Sequence, residues 1–189
     1  MRRFTVSEKE LLEVRNRIFL ESGIPELEKN GFFKSPFKTS WYGEYNRAIQ
    51  GFSYELCRLT EQGNLEIVKV HIIKGDNYIQ IFLNIFNLQP KVKYLSDLTD
   101  IEGTKYYLPP NSITKMRLRS DEYKGPPIFY MLFQPEYKIG KYCNKRGFDK
   151  KVSKLRELIK KDMNNIDSFI KRWFEMHTPL STDLEGNIK

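Results

Sequence analysis

The chain has 189 residues, 40% hydrophobic and 14% aromatic, with 32 Lys and Arg against 24 Asp and Glu and a formal net charge of +8. A chain of this length and apolar content can bury about 70% of its unfolded surface, which excludes wholesale disorder. No apolar run approaches the roughly 18 residues of a membrane span, and Glu8, Lys9 and Glu10 break the signal-peptide pattern at the start.

In chain order, Ser7 and Glu10 form a capping box ahead of Leu11, Val14 and Ile18 at helical spacing. Gly23 and Pro25 predict a stop to that helix after about four turns. Residues 30–52, "NGFFKSPFKTSWYGEYNRAIQGF", are aromatic but broken by Gly31, Pro36, Gly43 and Gly51, and read as loop with one short strand. Three β-rich runs follow, "FSYELCRL", "LEIVKVHII" and "NYIQIFLNIF", separated by the Gly-containing turns "TEQGN" and "KGD". They predict a three-stranded antiparallel meander.

A two-residue Gly75-Asp76 loop would pair Ile72 with Ile79, Val70 with Ile81 and Val68 with Leu83, giving an aliphatic core face. The opposite face would pair Ile73 with Tyr78, His71 with Gln80 and Lys69 with Phe82. If the first loop is also two residues long, Phe52, Tyr54, Leu56 and Arg58 share the His71 face. A one-residue bulge at Gly63 would turn them away from it.

After a linker rich in charge and proline (91–111), "ITKMRLR" alternates with strand period and "IFYMLF" reads as a strand apolar on both sides. Together they predict a second hairpin, with a helix over 112–123 as the competing reading. From 149 to 177 apolar residues step by three and four. One helix of that length would measure roughly 44 Å, longer than the roughly 40 Å diameter of a chain this size. Asn164-Asn165 followed by Asp167 predicts a break into two helices. The tail, 179–189, is expected to be loose.

The sequence therefore predicts an α+β fold, a single domain over 1–189. An antiparallel sheet of about five strands, the meander plus a second hairpin, carries an N-terminal helix and a C-terminal helical pair. A cytoplasmic location is expected, with no membrane partner.

The charge is unevenly placed. Residues 1–110 hold 15 Lys and Arg against 14 acids, whereas residues 111–189 hold 17 against 10. Within the basic, aromatic segment 115–161, Lys138, Lys141, Lys145, Arg146, Lys150, Lys151 and Lys154 are interleaved with Tyr137, Tyr142 and Phe148. Cations that neutralise phosphates and rings that stack on bases are what sequence-tolerant nucleic-acid binding uses. Lys115, Arg117 and Arg119 add a stripe on one strand face, and Cys143 lies within the basic segment.

Catalytic signals are sparse. His71 is the one candidate, an imidazole on a mixed sheet face that could bind an anion or move a proton near neutral pH. Glu-x-Lys occurs twice, at 122–124 and 136–138, which is what 16 Glu and 21 Lys produce by chance in this length. Both copies sit beside Pro or Gly rather than mid-strand. The two Cys and two His lack the paired spacing of a zinc site, and no phosphate loop, dinucleotide fingerprint or nucleophile elbow is present. No metal and no cofactor is expected. These features predict a non-enzymatic binding module for a protein partner, with nucleic-acid binding through 115–161 as the alternative. A small hydrolase or nuclease built on the His71 face is a second alternative.

Overall fold

Residues 4–119 and 136–189 are described by the computed structural model of the chain; the "IFYMLF" run and the first Glu-Tyr-Lys lie outside them. Helix α1 (Glu8–Ile18) begins at the expected capping box, in which Ser7 Oγ accepts from the Glu10 amide and the Glu10 carboxylate accepts from the Ser7 amide. The helix does not stop at Gly23. A π-helical turn (Phe19–Gly23) carries the chain into α2 (Ile24–Lys29). Pro25 falls in the first turn of α2, where its missing N–H is not required. Gly23 serves packing, because a Cβ there would lie 2.5 Å from the Phe19 ring.

The sheet runs in the order Phe33–Lys34, Gly51–Leu59, Asn64–Ile73, Gln80–Leu88 and Met116–Arg117, with Tyr42–Asn46 also on Gly51–Leu59 and Leu180–Thr182 also on Gln80–Leu88. Its long strands are β3 (Gly51–Leu59), β4 (Asn64–Ile73) and β5 (Gln80–Leu88). Short strands β1 (Phe33–Lys34) and β2 (Tyr42–Asn46) flank β3, so the aromatic segment holds two strands rather than one. The β4–β5 register is the expected one: Val68 opposite Leu83, Lys69 opposite Phe82, Val70 opposite Ile81 and His71 opposite Gln80. The ladder ends there, and Ile79 N–H donates instead to Tyr137 C=O.

The β3–β4 turn decides which face β3 presents. Thr60 N–H donates to Asn64 C=O, Gly63 N–H donates to Thr60 C=O, and Gly63 has φ +87°. This is a three-residue loop with a left-handed Gly, so the bulge is present. Tyr54 consequently pairs with Val70 and Leu56 with Val68 on the aliphatic face, while Ser53 pairs with His71 and Glu55 with Lys69. Phe52, Tyr54, Leu56 and Arg58 therefore do not share the His71 face.

The aliphatic face is buried beneath the four α-helices of the described residues. Val68, Val70, Ile72, Ile81 and Leu83 join Leu12 and Ile18 of α1, Leu27 of α2, and Ile159, Met163 and Trp173 from the C-terminal helices in one core. Those helices are α3 (Lys145–Asn164) and α4 (Ile166–Met176), broken at Asn165 as the sequence predicts. Asn144 caps α3 by accepting from the Gly147 amide at 2.7 Å, so the helix begins at Lys145, four residues before the expected start. His177 caps the end of α4 with its ring against Trp173. Arg58 spans this side, donating to Glu66 at 2.6 Å and to Asp167 of α4 at 2.7 Å.

A second core lies on the opposite face, where Cys57, Leu65, Ile67, Phe86 and Leu88 meet Phe37, Leu98 and Tyr106. The linker expected over 91–111 forms this cover through 3₁₀ turns at Leu95–Leu98, Thr104–Tyr107 and Asn111–Thr114. The last leads into β6 (Met116–Arg117), a strand on β5 rather than a helix. The tail is not loose: β7 (Leu180–Thr182) pairs parallel with β5, and the Tyr106 hydroxyl donates to the Asp183 and Leu184 carbonyls. Among the described residues no helix is long and apolar enough to cross a membrane.

Candidate nucleic-acid interface

Strand alternation sorts the polar side chains of the second sheet face into cross-strand rows. Ser53, His71 and Gln80 form one row; Glu55, Lys69, Phe82 and Arg117 form the next. His71 Nδ1 lies 3.0 Å from Ser53 Oγ, and its ring tilts against Phe82 at 6.1 Å. Burial, reinforced by the charges of Lys69 and Lys115, holds the imidazole pKa down to about 4. His71 is therefore neutral at pH 7 rather than poised near neutrality. It has a hydroxyl partner but, among the described residues, no carboxylate to orient it, and Ser53 is buried. This geometry offers the hydrolase reading no support.

The second row is more tightly enclosed. Lys69 Nζ sits 3.5 Å from Glu55 Oε2 and 3.3 Å from the centre of the Tyr107 ring. Glu55 Oε1 and the Tyr107 hydroxyl are shut off from solvent with no regular hydrogen bond among the described residues, and the two groups act on each other. Burial lowers the Lys69 pKa, and Glu55 opposes that shift. Burial, and then the Glu55 charge, pushes the Tyr107 phenol well above its ordinary value. The buried Cys57 thiol is pushed up for the same reason. Ser53, Glu55 and Tyr107 were not singled out in the sequence. The alternation of β3 marks Ser53 and Glu55, but only once the Gly63 bulge is known.

Outward from these rows the surface becomes basic. Lys115 Nζ lies 4.6 Å from the centre of the Phe82 ring, and the Arg117 guanidinium 5.1 Å from that of Tyr78. Residues 136–139 run beside this edge, with a β-bridge from Tyr78 to Lys138 and Ile139 N–H donating to Asn77 C=O. Lys138 Nζ comes within 5.6 Å of the centre of the same Tyr78 ring. Glu136 sits among these cations: Lys138 at 2.8 Å lowers its pKa most, with the Tyr78 hydroxyl and the charge of Arg119 acting in the same direction. Arg117, Arg119 and Lys138, distant in sequence, thus meet around Tyr78 and Glu136.

The surface adjoins one side of α3, while Lys145 lies on another side, beside Glu10 and Glu13 of α1. Lys151, Lys154 and Lys161 line a groove of about 600 Å³ with Glu136, while Lys141 reaches the β4–β5 turn at Gly75–Asn77. Lys141, Lys145, Arg146, Lys150 and Lys154 are exposed, and Lys151 is half-buried. None of these six makes an ion pair among the described residues. Cys143 is a free, exposed thiol within the stretch.

Two of the three expected stacking rings are unavailable. Tyr137 is buried with its hydroxyl donating to Asp162 Oδ2 at 2.7 Å, and Phe148 is buried between Phe4 and Tyr142. Both occupy core-facing positions that the interleaved pattern conceals. Tyr142 is half-buried, and among the described residues Tyr78 and Phe82 meet the basic side chains. Comparison with protein families, curated proteins and solved structures finds no match for this chain.

Proposed function

We propose that the protein is a non-enzymatic binding module that holds a nucleic-acid strand on the basic surface running from Lys115, Arg117 and Arg119 through Lys138 to α3. The observation that carries this reading is the Tyr78 ring, approached by Arg117 from β6 and by Lys138 from the segment before α3. That contact joins two basic segments into one field. Unpaired surface cations release counterions when they neutralise phosphates, which gives sequence-independent affinity. With Tyr137 and Phe148 in the core, phosphate contacts dominate and base stacking is confined to rings such as Tyr78 and Phe82.

Fluorescence anisotropy with a labelled single-stranded oligonucleotide tests the reading. Affinity should fall steeply as salt rises, vary little with base composition, and drop at least tenfold when Lys141, Lys145 and Arg146 become Glu. Unchanged affinity in that variant, with its fold intact by circular dichroism, would refute it.

A protein partner is the second reading, favoured by a different observation. Phe33, Trp41 and Tyr45 are exposed large aromatics on and beside the short strands β1 and β2. Exposed edge strands with aromatic side chains recruit protein segments by strand addition. A partner captured at high salt, and lost on Trp41→Ala with Tyr45→Ala, would support it; capture that salt abolishes would not.

A further inference from the structure

The β4–β5 turn and the start of α1 border a cavity of about 320 Å³ lined by Glu8, Arg15, Gly75, Asp76, Asn77 and Lys141. Arg15 is 1% exposed. Its Nη2 donates to Ile73 C=O at 3.0 Å, while Nε and Nη1 are buried without a partner among the described residues. A buried guanidinium with open donors is strongly unfavourable unless an acceptor completes it. Burial lowers its pKa, and Asp76 opposes that shift. Asp76 is nevertheless committed elsewhere, since its two oxygens accept from the Tyr78 amide at 3.1 Å and from Gln80 Nε2 at 2.6 Å. Glu8, the other acid, is exposed in the first turn of α1, where solvent and salt screen it.

We propose that this cavity is a binding site for a phosphate group, in the form of a phosphate monoester. The open guanidinium edge of Arg15, the Lys141 ammonium and the Asn77 side-chain amide supply donors of a kind that a tetrahedral dianion can accept from together. The volume lies at the lower end of small-ligand sites, roughly 300–1,000 Å³, and exceeds what a bare oxyanion fills. The phosphate could belong to a free small molecule or to the end of a strand on the adjacent basic surface, because Lys141 lines both. The site does not depend on strand binding, since Arg15 lies outside that surface and a free phosphate requires no strand.

Thermal unfolding with inorganic phosphate, against sodium chloride at matched ionic strength, tests the site. Phosphate should raise the Tm of the unaltered protein. Arg15→Met removes an unpaired buried charge at similar volume, so its own Tm should be equal or higher while its response to phosphate disappears. Lys141→Ala should keep its Tm and weaken phosphate binding about tenfold, the loss of one charge-assisted contact. Oligonucleotides with and without a 5′-phosphate separate the two sources. Tighter binding of the phosphorylated strand, lost in Lys141→Ala, assigns the site to strand ends; equal binding assigns it to small phosphates. The proposal is overturned if phosphate adds nothing beyond chloride, if acetate acts equally, or if Arg15→Met responds like the unaltered protein. Should Arg15→Met fail to fold, unchanged phosphate affinity in Lys141→Ala overturns it.

Discussion

The two faces of the central sheet solve the burial problem differently. On one, Val68, Val70, Ile72, Ile81 and Leu83 meet apolar helix surfaces, and the strands there act as a wall. On the other, a smaller apolar core gathers at the end near Leu65, Phe86 and Tyr106, and a strip of Ser53, Glu55, Lys69 and His71 beside Phe82 leads to the basic edge. Burying ionisable groups is unfavourable unless they are paired, yet Glu55 and Lys69 are paired only at 3.5 Å. The larger core lies on the helix side, while the second face buries ionisable groups beside a smaller core.

Substitutions sharpen that contrast, beginning with the largest effect. Leu83→Ala, on the aliphatic face, should cost about 2–5 kcal/mol in urea-induced unfolding. An effect below 1 kcal/mol would mean the helix side is not the main core. Lys69→Met should cost about 3 kcal/mol by leaving Glu55 buried and uncompensated, and adding Glu55→Gln should recover most of it. Simple additivity of the two would break the claim that they act as a pair.

Acid should act on the polar face. The folded pKa of His71, about 4, lies below its ordinary 6.5, so between those values the unfolded chain binds the extra proton. The contribution is complete above about pH 6.5 and is lost as pH falls toward 4. From pH 7.5 to 5 it amounts to about 1–2 kcal/mol. Replacing His71 by Gln should remove that part of the pH dependence, and an unchanged profile would contradict it. The smallest effect on stability belongs to the basic surface: Lys145→Glu with Arg146→Glu should shift unfolding by less than about 0.5 kcal/mol.

How much was legible in the sequence varies with the kind of signal. Centring the turn on Gly75-Asp76 predicted the β4–β5 register, although the ladder itself closes at His71 and Gln80 and the expected Ile72–Ile79 and Ile73–Tyr78 pairs are not part of it. The facing of β3 hung on one residue: "TEQGN" is compatible with either parity, and the left-handed Gly63 chose it. The cover over the second face was hidden because its buried residues, Leu98 and Tyr106, sit on 3₁₀ turns without a helical or strand period. Arg15 was visible in principle, since Leu11, Arg15 and Ile18 step by four and three along the buried stripe of α1. A charge in an apolar stripe is a signal in itself. The basic surface was legible as two segments, and their meeting at Tyr78 was not, because it depends on how residues 136–139 dock beside β5.

That meeting is most directly tested by the salt dependence of single-stranded oligonucleotide binding. The unaltered protein would be compared with Arg117→Gln plus Arg119→Gln, with Lys141→Gln plus Lys145→Gln, and with all four changes together. The slope of log K against log salt should become shallower by about 0.7 for each lost phosphate contact, in both double variants and additively in the combination. A slope that changes in only one of the double variants would contradict a single continuous surface.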